Sequence, residues 1–145
     1  MPHLKRRPPM VRWRVMGELK PAFHSQIRPR GKHVEVHGSG YLDAAAAERY
    51  LGEVEHEILR LFKAAGGKTR ISLLFYDNLA GFEAGRVARL HGQWFEKMRN
   101  ELGRVAVVSQ KTTVILAMSI IKLFAKSPVR QFSDEVAALR WLEES

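Results

Sequence analysis

Residues 71–85 read I-S-L-L-F-Y-D-N-L-A-G-F-E-A-G. An apolar run, Ile71 to Tyr76, meets a polar turn at Asp77-Asn78. A second turn, Gly81-Phe82-Glu83-Ala84-Gly85, then opens a helical pattern. A short apolar run bounded by turn signals reads as a buried strand. In an open α/β sheet, sites form outside the carboxyl ends of strands. A working surface is therefore expected just after Tyr76.

Upstream, Gly66-Gly67 ends a helix that starts after Asp43, whose carboxylate is suited to accept the free N–H groups of the first turn. Ala47, Leu51, Val54, Ile58, Leu61 and Ala65 form its buried stripe. Further upstream, Phe23 to Arg28 and His33 to His37 read as a hairpin around the loop Pro29-Arg30-Gly31-Lys32. If Arg28 pairs with His33, then Ile27, Val34 and Val36 face the core, and His24 lies opposite His37. Gly38 to Asp43 reads as a turn.

Downstream, a second helix is expected from about Ala84 to Leu102, with Val87, Leu90/His91, Trp94, Met98 and Leu102 on its stripe and Gly103 as its stop. Val105 to Val108 reads as a strand. A third helix spans Thr112 to about Lys126, before Ser127-Pro128. Val129 to Phe132 reads as a last short strand. A fourth helix is capped by Ser133, with Val136, Leu139 and Leu142 facing in. The order β-β-α-β-α-β-α-β-α implies a single-domain α/β fold, mostly parallel, with an antiparallel N-terminal hairpin.

The chain has 145 residues, suited to one domain, and no Cys, which excludes disulfides, thiolate zinc sites and Cys nucleophiles. The net charge of +9 is uneven. Residues 1–32 hold nine Lys/Arg against one Glu, and the rest holds fifteen against fourteen Asp/Glu. Residues 1–21 thus read as a basic arm and 22–145 as the domain. In the arm, Lys5, Arg6, Arg7, Arg12 and Arg14 surround Trp13. Such a segment can contact nucleic acid or an anionic membrane. The favoured reading is that Val11, Trp13 and Val15 alternate as a short strand and dock on the body. Lys5-Arg6-Arg7 is not followed by an apolar stretch, so no signal peptide is expected, and the chain reads as cytoplasmic.

Three motifs resemble the STAS domain family, in its SpoIIAA-like branch. G-Y-L-D-A-A-A-A-E at 40–48 is similar to the Gly-x-Leu-Asp-Ala turn that opens the first STAS helix. Gly81-Phe82 resembles the Gly-Phe that follows the central strand of that branch. V-R-Q-F-S-D-E-V-A-A-L-R-W-L at 129–142 is similar to its ending, Arg-x-Phe-x-x-x-x-x-Ala-x-x-Trp-Leu. The likeness covers about residues 22–143. It implies a STAS-like sheet and a non-enzymatic regulatory or protein-interaction module without a cofactor. In anti-anti-sigma proteins of this family, a Ser in an Asp-Ser pair at the start of the second helix is phosphorylated to switch binding to a kinase partner. Here Glu83-Ala84-Gly85 falls there, and Ala84 has no hydroxyl. The resemblance places an interaction surface at Asp77, Asn78, Phe82, Glu83 and Ala84. The branch also resembles CRAL-TRIO domains, which carry small apolar ligands, so a ligand carrier or sensor is the alternative.

Tests for chemistry return little. Gly66-Gly67-Lys68-Thr69 mimics the end of a phosphate-binding loop, but Phe62 stands where the first Gly belongs, and the segment leaves a helix instead of a strand. It reads as a helix C-cap. His33 and His37 are about 13 Å apart along a strand, too far to chelate together. A His24–His37 pair would need further ligands, so no metal site is expected. Glu53 and Glu57 read as a solvated face. His91 reads as a core or cleft histidine with a hydrogen-bond partner, since no nucleophile or acid can be placed beside it.

The third helix is the unusual element. Val114, Ile115, Leu116, Ala117, Met118, Ile120, Ile121, Leu123 and Phe124 cover most of its circumference, and Ser119, Lys122 and Lys126 leave a narrow polar strip. A surface helix needs an apolar arc of only somewhat over 100°. The surplus is expected to be covered by tight packing, the arm, a second copy of the chain, an apolar ligand or a membrane surface. For a ligand or oligomer surface the candidates are Trp94, Met98, Ile115, Met118, Ile121 and Phe124. The run Val114 to Ile121 is too short to span a bilayer.

Overall fold

A computed structural model describes residues 20–144. The strands are β1 (His24–Arg30), β2 (His33–Leu42), β3 (Ile71–Phe82), β4 (Leu102–Val108) and β5 (Val129–Phe132). The helices are α1 (Ala44–Ala64), α2 (Ala84–Lys97), α3 (Thr112–Phe124) and α4 (Glu135–Glu143). The strands form one sheet in sequence order, with β1 antiparallel to β2 and every later pair parallel. The expected element order and pairing sense are therefore observed.

Strand alternation divides the sheet into two apolar faces. Val34, Val36, Leu73, Phe75 and Val105 point to one face and are buried beneath α1, α2 and α3. Leu74 and Ala106 point to the other and pack with Ala138 and Leu142 of α4. Asp43 caps α1, its carboxylate accepting from the Ala46 N–H at 2.8 Å. At the far end Gly66 and Gly67 adopt φ of +86° and +72°, which turns the chain out of the helix as expected of a C-cap. Among the described residues, no helix is long and apolar enough to cross a membrane.

Several boundaries differ from the sequence reading. The hairpin turns on two residues, Gly31-Lys32, with Gly31 at φ +66°, so Arg30 and not Arg28 pairs with His33. The slip is two residues, which keeps Ile27, Val34 and Val36 on the core face but moves His24 opposite Ser39. His37 instead stacks on Tyr76, with ring centroids 4.2 Å apart.

The largest difference lies in β2 and β3, which do not stop at His37 and Tyr76. They run on together to Leu42 and Phe82, with a register shift at Gly40/Tyr41 that leaves Ala80 unmatched. Asp77, Asn78 and Gly81 are turn formers in isolation, but each has a partner on β2 here. Helix α2 ends at Lys97 because Leu102 pairs with Ile71 as the start of β4. Leu102 satisfies the helical period, and its pairing with Ile71 in the sheet overrides it. Ala65 is exposed, beyond the end of the α1 stripe. Helix α3 ends at Phe124, not Lys126. Asp134, not Ser133, caps α4 by accepting from the Val136 N–H at 2.8 Å. That places Val136 on the outside, 61% exposed. The expected strand at residues 11–15 lies outside the described residues.

Candidate functional site

The carboxyl ends of β3 and β4 converge on the amino ends of α2 and α3, where a site was expected. Asp77 does not reach solvent there. Its side chain is 2% exposed, and its carboxylate accepts from Ser109 Oγ at 2.6 Å, from the Leu79 N–H at 3.0 Å and from Lys111 Nζ at 3.5 Å. Lys111 also donates to the Leu79 carbonyl oxygen, and its own N–H donates to Ser109 Oγ at 3.1 Å. Gln131 Nε2 donates to the Ser109 carbonyl oxygen at 2.7 Å. This cluster ties the end of β3 to β4, the start of α3 and β5. The Ser109 hydroxyl is buried with its proton committed to Asp77, so it positions rather than reacts.

Asn78 and Ala84 are exposed, and Phe82 and Glu83 half-buried. Glu83 precedes the first turn of α2, yet its side chain makes no cap to that helix. Its Oε1 accepts from the Ala44 N–H at 3.1 Å, at the start of α1. One carboxylate thus ties together two helix N-termini, whose partial positive charge favours it. Asn78, Phe82, Glu83 and Ala84 remain available as a surface; Asp77 supports it from below.

Beneath α3 lies an apolar cavity of about 80 Å³. Leu73, Phe75 and Val105 form its floor, α2 contributes Val87 and His91, and α3 contributes Val114, Met118 and Ile121. Of the six residues expected to mark a ligand or oligomer surface, only Met118 and Ile121 line it. Trp94 is buried and turned toward α1, where its indole N–H donates to Glu55 at 3.0 Å. Met98 is buried at the C-cap of α2 and does not reach the cavity wall. Ile115 is on the outer side of α3, with Leu116 and Leu123 at 63% and 80% exposure, whereas Phe124 packs along Gly92 of α2 and is only partly exposed.

One polar pair borders the cavity. His91 Nδ1 donates to the Val87 carbonyl oxygen at 2.7 Å, so Nε2 carries the lone pair and accepts from the Tyr50 hydroxyl. Burial lowers the His91 pKa to about 4, against the upward pull of the Val87 hydrogen bond. Burial also pushes the Tyr50 phenol up. Both groups are neutral near pH 7 and already partnered. The expected histidine with a hydrogen-bond partner is therefore observed, half-buried at the cavity wall. Tyr50 was missed, although it lies three residues after Ala47 and four before Val54 on the edge of the α1 stripe.

Elsewhere, Glu35 sits between His33 and His37 at 3.8 and 3.9 Å and pairs with Arg30 at 3.4 Å. Among the described residues, no group of three His, Cys, Asp or Glu side chains is arranged to hold a metal ion.

Known proteins agree with this architecture. The fold is similar to that of an uncharacterised Shewanella loihica protein of the DUF3478 family, described as having a SpoIIAA-like fold. That protein is 20% identical with a TM-score of 0.52, the match covering 84% of this chain and 94% of that one. It is also similar to the anti-sigma factor antagonist SpoIIAA in its unphosphorylated form, at 19% identity and a TM-score of 0.52, covering 86% of this chain and all of that one. No curated protein matches the sequence. The model of the SpoIIAA-like family matches residues 33–143, which span every strand from β2 onward and all four helices, and the chain therefore belongs to the SpoIIAA-like family.

Proposed function

We propose that this protein is a non-enzymatic regulatory module of STAS type that works by docking a protein partner. The docking face comprises the outer side of α3 and the adjoining Asn78, Phe82, Glu83 and Ala84. One observation carries the reading: α3 buries Val114, Met118 and Ile121 while presenting Ile115, Leu116, Leu123 and the free part of the Phe124 ring to solvent. Apolar surface removed from water gains roughly 25 cal/mol per Å². A partner that covers those four side chains has a ready source of affinity. The start of α2 carries Ala84 and no hydroxyl, so binding here is not switched by phosphorylation at that position.

The test is position-specific photo-crosslinking in the cells that make the protein. A crosslinking residue at Leu116 or Leu123 is expected to yield a discrete protein adduct that one at Glu53, on α1, does not. The adduct from position 123 should disappear in a Leu116→Asp background. Equal yields at positions 53 and 123 would exclude α3 as the docking face.

A second reading rests on the cavity. At about 80 Å³ it is smaller than the apolar cavity of roughly 150 Å³ that holds benzene in a well-studied case. A small apolar ligand fits only if α3 moves outward, which ranks this reading below the first. Native mass spectrometry tests it. A bound apolar mass that is absent from an Ala117→Leu variant, which fills the cavity, would favour a carrier or sensor. A mass equal to the bare chain in both would exclude it.

A further inference from the structure

Strands β2 to β5 run parallel, so their first residues lie at one edge of the sheet, and the loops leading into them are gathered there by topology. Each loop brings a cation within three residues of its strand: Lys32 before β2, Lys68 and Arg70 before β3, Arg99 before β4, Lys126 before β5. Arg30 and Arg104 join them in lining a cleft of about 1180 Å³, in which Glu143 is the one acidic side chain. Lys32, Lys68, Arg70 and Lys126 have no acidic partner among the described residues. Arg30, Arg99 and Arg104 are paired with Glu35, Glu96 and Glu144. The cleft runs across the end of the sheet, with half-buried Phe62 of α1 on one face and half-buried Leu139 of α4 on the other, and with Leu102 and Leu142 buried. Gly66 and Gly67, at positive φ, turn the chain so that Lys68 and Thr69 face this cleft. The segment that mimics a phosphate-binding loop thus supplies a cation to the cleft wall.

We propose that this cleft binds the phosphodiester backbone of a single-stranded nucleic acid. Three features favour that occupant. The cations come from four successive strands, about 4.8 Å apart, and so form a row of about 14 Å instead of converging on one point. A row suits a repeating charge, and phosphates recur about every 3.4 Å along a stacked strand. Second, the half-buried Phe62 ring in the cleft wall can receive an unpaired base face, which a duplex keeps inside its own stack. Third, the cations line a concave cleft of about 1180 Å³, which a single strand can enter and a flat bilayer cannot. The cleft lies at the opposite edge of the sheet from the Asp77 end, so it stands independently of the docking face on α3.

The experiment is fluorescence anisotropy of a fluorescein-labelled oligouridylate with the full chain, titrated between about 50 and 200 mM salt. Log affinity is expected to fall linearly with log salt. The triple variant Lys68→Gln, Arg70→Gln, Lys126→Gln removes three phosphate contacts at about 0.7 each, so the slope should fall by about 2. The basic N-terminal arm is common to both proteins and cancels in that difference. A control triple variant on α2, Arg86→Gln, Arg89→Gln, Lys97→Gln, changes net charge equally and should keep the parent slope. No binding at low salt, an unchanged slope in the cleft variant, or an equal loss in the control would overturn the proposal. So would cleft-dependent binding to phosphatidylserine vesicles without binding to the oligonucleotide, which would make the site a membrane contact.

Discussion

Tyr50 on α1 donates its hydroxyl proton to Nε2 of His91 on α2, across 41 residues of sequence. The tautomer follows from the other ring nitrogen, which is committed to the Val87 carbonyl oxygen. The pair joins two helices over the sheet and holds an imidazole neutral in an apolar wall.

That arrangement sets a pH dependence. The folded pKa of His91 is lowered to about 4, against about 6.5 in the unfolded chain. Between those values the unfolded state binds a proton that the folded state does not, so stability rises with pH through this window. The stabilisation is complete above about pH 6.5 and is lost as pH falls toward 4. Between about pH 7 and pH 5 the loss from this group is of order 2 kcal/mol. Urea unfolding at the two pH values should show this excess in the parent relative to His91→Gln, which does not titrate. Parallel curves for the two proteins would show that His91 contributes no linkage.

Helices α2 and α3 approach each other at Gly92. A Cβ there would lie 2.7 Å from Phe124 Cβ and 3.2 Å from the Ile121 carbonyl oxygen, neither of which can move without its helix. Gly92→Ala should therefore be destabilising by about 1 to 2 kcal/mol, overpacking outweighing the helix propensity gained. Gly52, on the exposed side of α1, has nothing within 4 Å of the same added atom. Gly52→Ala should stabilise by up to about 1 kcal/mol. Thermal unfolding of the two variants should shift in opposite directions.

Asp77 is the keystone of the carboxyl-end cluster. Asp77→Ala leaves the buried Ser109 hydroxyl and the Leu79 N–H without their acceptor, and Lys111 without its counter-charge. The expected cost is about 2 to 3 kcal/mol. Since Lys111 stands at the N-cap of α3, the damage should be local as well as global. Amide exchange should accelerate first in the opening turn of α3. A uniform acceleration across the chain would show that the cluster only contributes to global stability.

The sequence reading succeeded where the signal was local. Apolar runs, the Gly66-Gly67 stop and the Asp43 cap identified four helices, five strands and the parallel sense of the sheet, whereas Gly103, expected to stop α2, lies inside β4. The over-apolar α3 was visible from Val114 to Phe124, and so was the hydrogen-bonded setting of His91. It failed where partners are remote. Asp77 and Asn78 read as a turn because their holding groups, Ser109 and the strand residues Gly38 and Ser39, are far away in sequence. Tyr50 was passed over because its partner lies on another helix. The basic cleft was hidden by a body that sums to near neutrality. Its cations lie in four separate loops, and only the order of parallel strands brings them to one edge.

Gly40 provides the sharpest backbone test. Its φ is +82°, and a Cβ there would lie 2.0 Å from the Ala22 carbonyl oxygen. The chain entering β1 runs hard against it, held by the Tyr41 N–H donating to the Pro21 carbonyl oxygen at 2.8 Å and by Lys20 Nζ over the Tyr41 ring at 4.2 Å. Gly31 has a similar φ of +66° but open space around it. Gly31→Ala should cost only the left-handed backbone penalty, about 1 kcal/mol. Gly40→Ala adds a backbone clash that no rotamer can relieve, so it should cost at least about 3 kcal/mol. The segment 20–22 must then lift from β2, and exchange of the Tyr41 amide should rise more than that of the β3–β4 ladder. Equal costs at positions 31 and 40 would show that the segment yields freely, and that its contacts with Tyr41 contribute little to holding β1 in place.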